Sequence, residues 1–285
     1  MVLAAATDRL LRSGVDNALG DARQLLAHVL GLEPSRLLLV DTISEAQRHD
    51  FDLLVTRRSE RIPLQHLTGH AYFRHEELEV GPGVFVPRPE TEVMTGWAID
   101  RLHELLATGA EPLVVELCAG SGAISRALVT EAPGVRVHAV EVSEDAARWA
   151  ARNLVGTGVA LHVEDMADAL PELDASVDLV IANPPYIPLD AYLSVTPEVR
   201  DHDPSVALFS GDDGLDALRV VAGVAGRLLR AEGLVCAEHA EVQQESAPAV
   251  FTAAGTFSSV RDHRDLAGRP RFVTAVRRPR AGHRP

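Results

Sequence analysis

Residues 113–128 read LVVELCAGSGAISRAL. The opening LVVEL is a short apolar run broken only by Glu116, the length and composition of a buried strand. Cys118-Ala119-Gly120-Ser121-Gly122 follows, and its two glycines permit a tight turn and close backbone approach to a ligand. AISRALVTEA then carries apolar residues at helical spacing. A strand, a glycine turn and a helix in that order open a doubly wound α/β sheet. The third glycine of a dinucleotide fingerprint is missing, because Ser125 stands in its place.

The same alternation runs on through the chain. VRVHAVEV (135–142) is a strand and SEDAARWAARNLVG (143–156) a helix. VALHVED (159–165) and VDLVIANPPY (177–186) are two more strands. DALRVVAGVAGRLLRAEG (216–233) reads as an amphipathic helix, LVCAEHA (234–240) as a strand and RFVTAVRR (271–278) as the last strand. This order predicts a mostly parallel twisted sheet with helices on both faces, a Rossmann-like α/β domain over residues 90–285.

Upstream the period is helical. DARQLLAHVLG places Ala22, Leu25, Leu26, Val29 and Leu30 on one face, with Asp21 as the expected N-cap. A second helix is expected from about Ser44, with Phe51, Leu54 and Val55 together. Residues 1–78 therefore read as a small helical bundle. Residues 79–89, around Gly81-Pro82-Gly83, read as a β-hairpin linker.

Composition narrows the function. Of 285 residues 46% are hydrophobic, enough for a sizeable core. No apolar run approaches the ~20 residues of a spanning helix, and the first residues do not read as a signal peptide. Cys118 and Cys236 have no metal-ligand spacing, and a reducing cytoplasm is the expected home with no metal. Every basic residue is Arg. Residues 89–260 hold 9 Arg against 27 acids, whereas residues 261–285 hold 8 Arg against 2. An acidic body repels phosphate backbones, so nucleic acid is not the expected substrate. The tail RRPRAGHRP has the charge to touch RNA or an acidic partner; a solvated chain end is the simpler account.

Ligands of open α/β sheets bind outside the carboxyl ends of the strands. Those ends carry Glu116, Glu141, Asp165 and Asn183. Glu141 lies 21 residues after Gly120, the interval at which an acid accepts ribose hydroxyls. The turn and the acid together point to an adenosine-containing ligand. No GxxxxGK[ST] occurs, and Glu116 would repel a pyrophosphate, so a cationic methyl donor, S-adenosylmethionine, fits better than NAD.

Asn183-Pro184-Pro185-Tyr186 completes the reading. An amide or aromatic amine nitrogen is a poor nucleophile and must be aimed at the methyl group. The Asn183 side-chain carbonyl can accept one N–H and the Pro184 backbone carbonyl the other. Pro185 stiffens that carbonyl, and the Tyr186 ring can cover a planar group and exclude water. The nitrogen becomes acidic as it gains the methyl, so no strong general base is needed.

The combination resembles class I S-adenosylmethionine-dependent methyltransferases of the NPPY group, and within them the HemK/PrmC family. DARQLLAHVLG, PLQHLTGHAYF, VPRPETE (86–92), NPPYIP, DPSVALFSGDDGLD (203–216) and DLAGRPRF (265–272) carry the resemblance over nearly the whole chain. It implies methylation of the glutamine of the GGQ motif in peptide-chain release factors at N5, by a monomer whose N-terminal domain recognises the substrate protein. Cys118, Ala119, Gly120, Ser121 and Gly122 would wrap the donor, with Glu116 beside it. Glu141 would hold the ribose, Asp165 and Met166 would flank the adenine, and Asn183 would touch donor and substrate. Arg88 and Glu90 would organise the rim of the pocket or form a structural ion pair. The family usually has Asp at positions 116 and 141, Gly-Thr at 118–119 and Gly at 240. An amino methyltransferase of adenine or cytosine in DNA or RNA is the alternative, since a flipped base suits Tyr186 equally. A non-catalytic binding module is the third reading.

Overall fold

The computed structural model describes residues 2–279, so residues 280–285 of the basic tail lie outside the described residues. The chain divides into two compact units: Met1–His70, Val80–Pro82 and Val195–His202 in the first; Ala71–Glu79, Gly83–Ser194 and Asp203–Pro285 in the second.

The first unit contains α1 (Val2–Arg12), α2 (Ala18–Leu30), α3 (Glu45–Ser59) and α4 (Leu64–Thr68), and it takes in the later helix α8 (Pro197–His202). Leu10, Leu25, Leu26, Phe51, Val55, Leu64 and Leu67 form its core. Ser44 starts α3 with a capping box, its hydroxyl accepting from Gln47 N–H and its own N–H donating to Gln47 Oε1. Asp21 is not the expected N-cap. The α2 helix begins at Ala18, and Asp21, inside the first turn, accepts from Arg58 Nε at 2.7 Å. That buried guanidinium also donates to Glu198 Oε1 at 2.9 Å, and Arg61 Nε reaches the same oxygen at 2.6 Å. Burial pushes Glu198 up, but the Arg61 and Arg58 hydrogen bonds outweigh it and hold the carboxyl below its ordinary range.

The hairpin falls earlier than expected. Strands β1 (His70–Phe73) and β2 (Glu76–Glu79) turn at Arg74-His75, and residues 80–90 are irregular. Arg74 takes φ +54° and is anchored by Glu131 at 2.5 Å, with its N–H donating to Glu92. The 80–90 stretch carries Pro82, Pro87 and Pro89, which lack the N–H that strand pairing needs.

The second unit continues through α5 (Thr91–Ala107), β3 (Leu113–Leu117), α6 (Ala123–Glu131), β4 (Arg136–Glu141), α7 (Glu144–Asn153), β5 (Ala160–Val163) and β6 (Val177–Ala182). After α8 come α9 (Asp216–Leu228), β7 (Leu229–Glu238), α10 (Ser246–Ala253), β8 (Phe257–Arg264) and β9 (Pro270–Arg277). Among the described residues seven strands make one sheet in the order β5-β4-β3-β6-β7-β9-β8. The pairings from β5 to β7 are parallel, and β9 runs antiparallel to β7 and β8. Helices cover both faces, with α9 and α10 over one apolar cluster and α5 and α6 over the other. The chain order reverses between β3 and β6, the switch point at which such sheets bind ligands.

Two differences from the sequence reading concern the far edge. The α9 helix stops at Leu228, and LRAEG already belongs to β7. A side chain at Gly233 would come within 3.0 Å of the Val177 carbonyl, so glycine lets the two strands meet there. Edge strand β8 was not anticipated: FSSVRDHR is polar and half exposed, so it lacks the apolar alternation of a buried strand.

Candidate active site

Register brings the strand ends together. Leu117 pairs with Ala182 on one side and Val140 on the other, and Ala182 pairs with Ala237. The next residues are therefore neighbours: Cys118 and Asn183, just past β3 and β6, and Glu141 and Glu238, which end β4 and β7.

The glycine turn is held by Glu141. Its Oε2 accepts from the Gly120 N–H at 2.7 Å and its Oε1 from the Ser143 N–H at 2.8 Å. Cys118, Gly120 and Gly122 all have positive φ, at +60°, +56° and +79°. A side chain at Gly122 would press on Leu154 at 3.1 Å, whereas Gly120 faces open space within 4 Å. Cys118 bears the left-handed strain without being glycine, about 1–2 kcal/mol. Its Sγ lies 3.6 Å from Met166 Sδ. Burial, then the charges of Glu141, Glu116 and Asp165, push the thiol up, so it stays protonated and is no nucleophile. Glu141 and Asp165 make the turn electronegative. Asp165 is exposed and accepts from the Ala167 N–H at 2.9 Å.

Glu116 faces inward. It is 1% exposed and accepts from the Ser125 N–H at 2.9 Å and from the Ser125 hydroxyl, which ties the first turn of α6 to β3. Ser125, at the missing third glycine, is thus the partner of an acid in the strand. Burial pushes the Glu116 carboxyl up to about 8, with Glu141 adding to the rise against the two Ser125 bonds. The folded protein therefore binds more protons than the unfolded chain between the two pKa values. Stability from this group is fully present below the unfolded carboxyl's pKa and falls as pH rises toward 8, by at most ~1.4 kcal/mol per pH unit. Urea midpoints measured across pH 4.5 to 8 should show that slope in the wild type and a shallower one in Glu116→Gln.

On the other side, NPPY is tied down along its length. Asn183 Nδ2 donates to Thr91 Oγ1 at 3.2 Å, and the Thr91 hydroxyl donates to Glu238 Oε2 at 2.7 Å. Tyr186 OH donates to Glu238 Oε1 at 3.3 Å. Burial pushes Glu238 up to about 7, opposed by Thr91, Arg271 and Tyr186 and aided by Glu90. Burial, then the Glu238 charge, pushes the Tyr186 phenol up as well. Gln243 Nε2 donates to the Tyr186 carbonyl at 3.0 Å. Ile187 exchanges backbone bonds with the 208–210 segment, at 2.9 Å from its N–H to Leu208 O and 3.0 Å from Ser210 N–H to its carbonyl. Pro184 is buried.

Arg88 donates to buried Asp203 at 2.9 Å and sits 4.8 Å over the Phe85 ring; Glu90 meets Arg269 at 3.4 Å. Both therefore have ion-pair partners. Ala240, where the family resemblance leads one to expect glycine, has ordinary extended φ −70°, so the side chain costs nothing there. Sequence reasoning missed Thr91, Glu238 and Gln243. The strand-end argument used for Glu141 would have found Glu238, the last residue of β7.

The PrmC N-terminal domain family matches residues 1–69 and a methyltransferase domain family matches residues 114–202. The chain is 50% identical over 277 residues to the release factor glutamine methyltransferase of Streptomyces coelicolor, covering 96% of both. The chain belongs to the release factor glutamine methyltransferase family. The Mycobacterium tuberculosis member is 43% identical over 281 residues, 96% of this chain and 90% of its own length. A 4-amino-L-phenylalanine/4-methylamino-L-phenylalanine methyltransferase of Streptomyces pristinaespiralis is also 43% identical, covering 89% of this chain and 87% of its own. Among solved structures, the hMettl16 catalytic domain in complex with the MAT2A 3'UTR hairpin 6 superposes with TM-score 0.52 at 12% identity over 70% of this chain and 75% of its own. That likeness shows the fold alone.

As a family member the chain is an S-adenosylmethionine-dependent methyltransferase. Its residues fit that donor: the turn leaves open space at Gly120, its surroundings are acidic as a sulfonium requires, and a strand-end carboxylate stands beside it. Among the described residues no cluster of three His, Cys, Asp or Glu could hold a metal, and no helix is long and apolar enough to cross a membrane.

Proposed function

We propose that this protein methylates the side-chain amide nitrogen of the GGQ glutamine of peptide-chain release factors. The observation that carries this reading is 50% identity over 96% of the chain to a protein named for that activity, with an intact NPPY at the sheet's switch point.

Residues 118–122 hold the donor's methionine portion, Glu141 its ribose, and Asp165 with Met166 its adenine. Glu116 supports from within, by shaping the turn through Ser125. Asn183 Oδ1 accepts one N–H of the substrate amide and the Pro184 carbonyl the other, which turns the nitrogen lone pair outward to the methyl. When bound, S-adenosylmethionine supplies a sulfonium methyl: the N–C bond forms as the C–S bond breaks, its electron pair staying on sulfur. Both carbonyl dipoles face the positive charge that grows on nitrogen. One amide proton then passes to water. The Tyr186 ring covers the flat amide and keeps water off the lone pair. Residues 1–78 recognise the release factor. The protein acts as a monomer in the cytoplasm, and the acidic 89–260 segment disfavours nucleic acid as substrate.

The Streptomyces pristinaespiralis relative gives a second reading, an aromatic amine as acceptor, because Asn183 and Tyr186 suit any planar NH2. Isotope-labelled S-adenosylmethionine offered with a release factor, with 4-aminophenylalanine and with RNA separates them. Label is expected in the release factor; label in the amino acid or the RNA instead would replace the proposed function.

A further inference from the structure

We propose that Thr91 and Glu238 are positioning residues that fix which end of the Asn183 amide faces the substrate. The inference rests on the reading that the Asn183 carbonyl accepts the substrate amide. An asparagine side chain can rotate by half a turn and present either C=O or NH2 at nearly equal steric cost. Only the C=O is useful here, since NH2 against the substrate's own NH2 sets donor against donor.

The hydrogen-bond chain decides the rotamer. Glu238 is 1% exposed, and above pH 7, where it is a carboxylate, it only accepts, so there the Thr91 hydroxyl spends its single hydrogen on Glu238 Oε2 at 2.7 Å. The lone pairs of Thr91 Oγ1 remain, and they can only accept. Asn183 satisfies them through Nδ2 at 3.2 Å, which leaves Oδ1 on the side away from Thr91. The flipped amide would put an oxygen against an oxygen with no hydrogen between them. Thr91 is 3% exposed and begins α5, so the hydroxyl is held by a helix and not by a loose loop. The second oxygen of Glu238 takes the Tyr186 hydroxyl, so one carboxylate orients both ends of NPPY. This accounts for a threonine in the VPRPETE segment, which approaches the reaction from a different element than the loop it steadies.

Thr91→Val keeps the shape of the side chain and removes both bonds; Thr91→Ser keeps the bonds. Steady-state methyl transfer to a release factor and calorimetric titration of S-adenosylmethionine are measured on the full chain. Thr91→Val should lower kcat about tenfold or more, the weight of one lost orienting bond, with donor affinity within about twofold. Thr91→Ser should restore most of the rate. Wild-type kcat in Thr91→Val, or a serine variant as slow as the valine one, overturns the proposal. Hydrogen exchange of the Asn183 side-chain amide, assigned by NMR through its loss in Asn183→Asp, tests the same point without turnover. In the wild type it should exchange at least about tenfold more slowly than an exposed asparagine amide, and exchange as fast as an exposed one overturns the proposal. If the wild type transfers no methyl to any release factor, the function fails, and the amide exchange still decides the orientation.

Discussion

Replacing Asn183 with alanine should lower methyl transfer by about 10²- to 10³-fold and leave S-adenosylmethionine binding nearly unchanged, because it removes an acceptor dipole aimed at the reacting nitrogen. The side chain is not part of the core: it is half-buried, and Thr91 Oγ1 is its protein partner. Truncation therefore costs little stability, and the loss is expected in kcat. Single-turnover transfer with donor and release factor both saturating reads the chemical step directly. A variant with weakened donor binding and an unchanged single-turnover rate would place Asn183 in donor binding alone.

Gly214→Ala should be nearly as damaging through backbone geometry. Gly214 has φ +74°, and a Cβ there would lie 2.4 Å from the Tyr186 carbonyl and 2.7 Å from Gln243 Nε2. Both belong to the clamp on NPPY, so the clash pushes directly on the loop that holds the substrate amide. The left-handed strain adds about 1–2 kcal/mol. Gly255→Ala is the matched control, with φ +69° and nothing within 4 Å of the added carbon. The expected result is similar thermal destabilisation from strain in both variants, an extra loss in Gly214→Ala, and transfer reduced about tenfold or more in that variant alone. Equal transfer rates in the two variants would show that the clamp does not govern the loop.

The strand–turn–helix units were readable because each is local: an apolar run, glycines, then helical spacing. NPPY was readable because its chemistry lies in four consecutive residues. Glu141 came from a fixed interval to Gly120, and the structure does join them by a 2.7 Å hydrogen bond. What stayed hidden depends on which elements become neighbours. Thr91 and Glu238 are 147 residues apart and meet because α5 packs against β7. The inward turn of Glu116 depends on the reach of a glutamate toward Ser125, which no interval announces. Asp21 looked like a cap until Arg58 approached from another helix. The hairpin was placed late because Gly81-Pro82-Gly83 is a stronger turn signal than Arg74-His75, whose geometry rests on Glu131 and Glu92.

Tandem mass spectrometry of a release factor, after incubation with S-adenosylmethionine and either the wild type or Asn183→Ala, meets the central claim most directly. One added methyl on the glutamine side-chain nitrogen with the wild type, and almost none with the variant, is the predicted result. A methyl on any other residue, or an equal yield from Asn183→Ala, would contradict it.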